Sequence, residues 1–164
     1  MSGVVVDKRI TEVLEEIRAA LLNSQDIDNF CQTNYGKSLK VFLGADERDL
    51  PEISNCPFVL LDRGSIDFSE GNTYRDSACE FYLFIAIYQE QTIDDGRGVV
   101  YSGINEIDEL SQMIRQEICN SIYPVLFEEE TVIGINPDLP LRRYPVYMVM
   151  NKAIIRPMRE RRSS

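Results

Sequence analysis

Carboxylates are the only reactive groups that this chain clusters. Asp94-Asp95 and Glu128-Glu129-Glu130 could hold a hard cation through oxygen ligands. Neither run follows the EF-hand spacing, so solvated acidic loops are the expectation at both. Metal-dependent nuclease chemistry would want strand-end carboxylates followed by ExK. Asp62 and Glu80 lie in strand-like stretches, and no ExK follows either. Histidine, the commonest general acid and base, is absent from the chain. That removes Ser-His-Asp and Cys-His nucleophile arrangements and any Cys/His zinc site. A serine or cysteine nucleophile would need another base, yet Lys8, Lys37, Lys40 and Lys152 all lie outside an SxxK motif. Gly96-Arg97-Gly98 lacks the third glycine of GxGxxG, and no GK[ST] occurs, so nucleotide binding has no motif behind it. The expectation is a protein that is not an enzyme, with no catalytic, cofactor-binding or metal-binding residue assigned.

Cysteine usage points the same way. Cys31, Cys56, Cys79 and Cys119 form no CxxC pair. They read as buried thiols of a reducing compartment, each packing as a small apolar residue. Met1 to Arg9 carries Val4, Val5 and Val6 but then Asp7 and Lys8, which does not make a signal peptide. No apolar run is long enough to cross a bilayer. The charge is uneven. Arg156 to Ser164 hold +3 of a formal net charge of −10, so the preceding 155 residues carry −13. An acidic body is a poor surface for nucleic acid, which binds by releasing counterions to lysine and arginine. It is equally unsuited to anionic membrane. Residues 157–164 are expected to form a disordered basic tail, whose other reading is a tether to an acidic neighbour or to nucleic acid.

The elements that would position these groups can be read from hydrophobic period. Ile10, Val13, Leu14, Ile17 and Leu21 form one stripe of a first helix over about 8–22, which Asp7 can cap. A polar stretch follows from Asn23 to Asn34, then a turn at Tyr35-Gly36-Lys37. Short strands are expected at Leu39–Leu43 and Cys56–Leu61, with Pro57 marking the start or an edge of the second. Asp62–Arg75 reads as a loop or long hairpin. Ala78–Gln91 is the strongest strand. Its odd positions Cys79, Phe81, Leu83, Ile85 and Ile87 are all apolar, and its even positions Glu80, Tyr82, Phe84, Ala86, Tyr88 and Glu90 are mixed. Thr92–Gly103 reads as a loop. A second helix is expected over about 106–123, capped by Asn105, striped by Ile107, Leu110, Ile114, Ile118 and Ile122, and stopped by Pro124. Strands at Thr131–Ile135 and Val146–Ile155 complete the chain, separated by the turn residues Asn136-Pro137-Asp138 and Leu139-Pro140.

The predicted fold class is α+β: a mainly antiparallel sheet with two helices packed on one face, in the order α-β-β-β-α-β-β, as a single domain spanning 1–164. Tyr82, Phe84 and Tyr88 would then lie on the sheet face away from the helices. Three aromatics within seven residues of an acidic chain predict an interface there. The bland alternative is a partly solvated second face, common in antiparallel sheets. Met148 and Met150 read as core filler.

An N-terminal helix, then Pro57-Phe58-Val59-Leu60-Leu61, then the long strand around Phe81-Tyr82-Leu83-Phe84-Ile85-Ala86-Ile87, a helix, and a strand at Tyr144-Pro145-Val146-Tyr147 make a recognisable layout. Over residues 7 to 156 it resembles the tail-terminator and tail-completion proteins of tailed bacteriophages, also described as minor tail or neck proteins. The resemblance is one of layout and rests on no invariant motif. It implies a non-enzymatic virion part that forms a hexameric ring at the head-proximal end of the tail tube. The implied partners are other copies of the chain, tail-tube proteins and head-completion proteins. The implied location is the virion, and the host cytoplasm during assembly. The basic C-terminus is not required by that layout. A neck or connector role remains a variant of it. A second expectation, from the aromatic face alone, is a bacterial adaptor or regulatory module that binds a protein partner. A third is a small enzyme using carboxylates and a divalent metal.

Overall fold

The computed structural model describes residues 9–44, 51–68, 77–121, 123–134 and 144–155. In chain order these form α1 (Ile10–Asn23), α2 (Gln25–Tyr35), β1 (Lys40–Leu43), a 3-10 turn (Ile53–Asn55), β2 (Phe58–Asp67) and β3 (Ala78–Tyr88). They continue as β4 (Thr92–Asp94), β5 (Val99–Tyr101), α3 (Ser102–Cys119), β6 (Val125–Ile133) and β7 (Val146–Ile155). The fold is α+β. Five strands make one sheet in the order β1-β2-β3-β7-β6. β1 and β2 run parallel, and every other pair in that sheet is antiparallel. β4 and β5 form a separate two-stranded ribbon.

β3 occupies the middle of the sheet because its odd positions form an unbroken apolar row. Cys79, Phe81, Leu83, Ile85 and Ile87 are all fully buried. They meet Ile10, Val13, Leu14, Ile17 and Leu21 of α1 and Ile107, Leu110, Ile114 and Ile118 of α3 in one core. Each such side chain contributes about 1.5–3 kcal/mol by leaving water. Both apolar stripes therefore dock where their periodicity places them.

The expected order and helix count need correction. The stretch Asn23–Asn34, read as a polar stretch with no element assigned to it, is mostly a third helix, α2. Ser24 caps it, accepting a hydrogen bond from the Ile27 amide at 3.4 Å, and Gly36 ends it. Only Ile27 and Cys31 are fully buried from it, and two residues one turn apart give too narrow a stripe to stand out. Thr92–Gly103, read as a loop, holds the β4–β5 ribbon and the start of α3. α3 begins at Ser102, and Asn105 lies inside it, donating to Glu109 at 3.0 Å instead of capping. The helix ends at Cys119, before Pro124. β2 runs on to Asp67 and stays paired antiparallel with β3 as far as Ala78, so the first part of the stretch read as a loop or long hairpin is a hairpin arm. β6 starts at Val125 and so takes in Glu128, Glu129 and Glu130. The cap Asp7, the turn at 136–140, Ile122 and the basic tail 157–164 lie outside the described residues.

One contact fixes how α3 enters the core. Gly103, in its first turn, lies flat on the ring of Tyr147. A Cβ there would sit 2.1 Å from Tyr147 Cε2. Tyr147 is fully buried, so only glycine lets the helix and β7 come this close.

Candidate interaction surface

The four cysteines are free thiols, and Cys31, Cys56 and Cys79 are buried. Burial, aided by the Asp28 carboxylate, pushes the Cys31 thiol up to about 12. Burial pushes Cys56 up to about 11, against an opposite pull from Lys37. Neither is a thiolate at neutral pH, so neither is poised as a nucleophile. Among the described residues no three His, Cys, Asp or Glu side chains gather as a metal site would need. No helix among them is long and apolar enough to cross a membrane.

The acidic runs have local structural partners. Asp94 Oδ1 accepts the Gly96 amide and Asp95 Oδ1 the Arg97 amide, both at 2.9 Å. These side-chain turns shape the tip of the β4–β5 ribbon, where Gly96 is left-handed with φ +82°. Glu130 forms an ion pair with Arg115 of α3 and accepts from Ser111 Oγ at 2.5 Å. Arg115 also donates to Ser111 Oγ at 2.6 Å and to Asn151 Oδ1 at 3.3 Å. Ser111 and Asn151 are buried, so the network satisfies polar groups that would otherwise be costly there and clamps β6 onto α3. Sequence reasoning missed it because its members come from three separate elements. Lys152 lies between Glu80 at 3.4 Å and Glu128 at 3.6 Å. Its pKa is raised, first by the hydrogen bond to Glu80.

Tyr82, Phe84 and Tyr88 all lie on β3 away from the helical core, but in three different surroundings. Tyr82 is half-buried between Asp62 and Lys152 as its cross-strand partners, beside the Glu80–Lys152–Glu128 ladder. Phe84 is half-buried in a second apolar cluster built from Cys56, Phe58, Leu60, Ala86, Phe42 and Met148. In it the Phe42 and Phe58 rings meet edge to face at 5.9 Å. Tyr88 is exposed at the strand end, and its hydroxyl hydrogen-bonds Glu90. About 20 Å of strand separates Tyr82 from Tyr88 at the usual rise per residue. The three do not make one aromatic patch. Met148 fills the second cluster, as a gap-filling thioether does.

The feature that sequence reasoning did not isolate is the ribbon after Tyr88. Ile93 pairs with Val100, so both project from one face. Thr92, Tyr101, Asp94 and Val99 take the other. Both faces are solvent-exposed: Ile93 and Val100 are each 53% exposed, and Val99, Tyr101, Ile104 and Tyr144 are exposed beside them. The ribbon is fastened at its base. The Ser102 amide donates to the Gln91 carbonyl at 3.1 Å. The Tyr101 and Tyr144 rings meet edge-on at 5.2 Å, and the Tyr144 hydroxyl donates to the Glu90 carbonyl at 3.1 Å. The β-branched and aromatic run Val99-Val100-Tyr101 after the turn residues 94–98 was the available signal, hidden by its short length.

Next to that base lies a groove of about 380 Å³, lined by Asn34, Tyr35 and Lys37 after α2, Ile53, Ser54 and Cys56 around the 3-10 turn, and Tyr88, Gln89 and Glu90. Ile53 is exposed. Gln89 Nε2 donates to Glu106 at 3.0 Å, and the Tyr35 hydroxyl is pushed well above its ordinary range by burial and by the Glu106 carboxylate. A groove with an ammonium, a phenol and an apolar lip can seat another chain, and its cysteine, Cys56, is held as the thiol. No protein-family model and no curated protein sequence matches this chain.

Proposed function

We propose that this chain is a structural subunit of a phage or prophage virion, of the tail-terminator type. In this reading it self-associates into a ring and meets tail-tube and head-completion proteins at its two faces. It works by surface fit and transforms no substrate. The observation that carries the proposal is the β4–β5 ribbon, with apolar side chains on both faces exposed in the single chain. An isolated two-stranded ribbon is marginal in water, and exposed apolar surface of this kind marks a protein contact. The α+β sheet with α1 and α3 sharing one core against it is compatible with the tail-terminator layout, to which α2 and the β4–β5 ribbon are additions. The acidic composition supports it too, because a ring that lets DNA pass must repel phosphate more than it holds it.

The test is light scattering behind size-exclusion chromatography over a range of concentrations, followed by negative-stain imaging with purified tail tubes. A ring-sized oligomer, in solution or on tube ends, is the expected result. A monomer at every concentration that also leaves tube ends bare would overturn the proposal. The half-buried Phe42, Phe84 and Met148 on the sheet face away from the helices favour one other reading, a monomeric bacterial adaptor or regulatory module that binds an unlike protein. Such a monomer would bind its partner with one-to-one stoichiometry.

A further inference from the structure

We infer that the β4–β5 ribbon of one subunit docks in the Lys37–Ile53–Tyr88 groove of a second copy of this chain. The inference rests on the self-associating reading above and names the two surfaces that meet. Charge is the first support. The ribbon tip presents Asp94, Asp95 and Arg97, while the groove presents Lys37 and Glu90, with Lys40 beside it holding Asn55 at 3.1 Å. Two acids can face two lysines, and one arginine can face one glutamate. Because the whole chain is strongly acidic, two copies repel at long range, and a contact between them is favoured where such local pairs offset that repulsion.

Shape and apolar surface agree. Ile93 and Val100 project together from one ribbon face, and the groove offers Ile53, Tyr88 and the Tyr35 ring against them. The ribbon does not fill the groove of its own chain, since its side chains stay exposed while the groove stays open beside its base. Ribbon and groove are different patches of one surface, so the contact runs head to tail. Contacts of that kind close into rings when the rotation between copies closes.

A zero-length carbodiimide applied to an equal mixture of ¹⁴N- and ¹⁵N-labelled protein tests the contact directly. The expected product is a peptide containing Asp94 or Asp95 joined to one containing Lys37 or Lys40, in mixed-isotope pairs. The companion variant is Asp94→Asn with Asp95→Asn, which removes both charges and keeps the Oδ1 acceptors that shape the turn. It is expected to weaken self-association at least tenfold in dissociation constant, with an unchanged melting temperature. An oligomer that gives no such mixed-isotope link and is indifferent to the double variant would overturn this inference while leaving the self-associating reading in place. A chain that stays monomeric alone and on tail tubes would overturn both.

Discussion

Among the described residues, the β6 edge of the main sheet and the β4–β5 ribbon have opposite character. β6 closes one side of the five-stranded sheet, and it carries three consecutive glutamates along that edge. Glu128 is tied to Lys152 and Glu130 to Arg115. Charged side chains on an edge discourage another strand from adding to it. The β4–β5 ribbon has the reverse character, with Ile93, Val99, Val100 and Tyr101 exposed on two short strands that pair only with each other. β1, at the opposite side of the sheet, is only four residues long, and its Val41 carbonyl already accepts Arg18 Nε at 2.8 Å. In the self-associating reading proposed above, contact is excluded at the guarded β6 edge and made at the apolar ribbon.

The largest effect is expected from reversing that contrast. Ile93→Lys with Val100→Lys would place two charges on the invited surface. Self-association is expected to weaken by about 30-fold or more, the consequence of losing an anchor of about 2 kcal/mol. The melting temperature of the subunit is expected to stay within the small range typical of surface changes. The mirror experiment is Glu128→Val with Glu129→Val. It would leave the Glu130 clamp intact and is expected to produce concentration-dependent association through β6, seen as rising light scattering. If the ribbon variant associates as the unaltered chain does, the two edges do not differ in role.

Next in size are changes at the anchors that hold each region. Gly103→Ala would push a methyl into the Tyr147 ring at the point where the ribbon passes into α3. Overpacking at a buried aromatic, less the gain in helix propensity from alanine, is expected to leave a net loss of about 1–2 kcal/mol, read by urea denaturation. Arg115→Ala would strip the cation from Glu130 beside buried Ser111 and Asn151. A loss of about 1–2 kcal/mol is expected from the polar groups left without their donor. That variant should loosen β6 without changing self-association through the ribbon, which separates a structural clamp from a contact surface. A glycine variant as stable as the unaltered chain would show that α3 can shift away from Tyr147.

What the sequence could reveal followed the width of each hydrophobic signal. The five residues of the α1 stripe and the five odd positions of β3 are regular over several turns or pleats, and the main sheet with its two principal helices was readable from them. α2 was not, because Ile27 and Cys31 are its only fully buried residues and its polar positions match those of a loop. The ribbon was not, because three-residue strands are shorter than the window over which alternation can be told from chance. At the candidate surface, period two correctly put Tyr82, Phe84 and Tyr88 on one side of β3. It could not show that Tyr82 faces a charged ladder and Phe84 an apolar cluster, because those neighbours come from β2 and β7 through long-range register. The groove was equally hidden. It draws Lys37, Ile53 and Glu90 together from segments that no local pattern connects.

The smallest expected effect sharpens the account of that groove. Tyr88 is exposed, and its hydroxyl hydrogen-bonds Glu90 within the same strand end, a contact that water replaces at little cost. Tyr88→Phe is therefore expected to change stability by no more than about 0.5 kcal/mol and to leave self-association unaltered, since the ring and not the hydroxyl forms the apolar wall. Tyr88→Ser removes that wall and is expected to weaken association several-fold at similar stability. Titrating both variants by analytical ultracentrifugation compares the two contributions at one position. Equal losses from the phenylalanine and serine variants would mean that the Tyr88–Glu90 hydrogen bond orders the groove, and that the carboxylate, with Lys37 opposite it, matters more to the seated ribbon than the aromatic ring does.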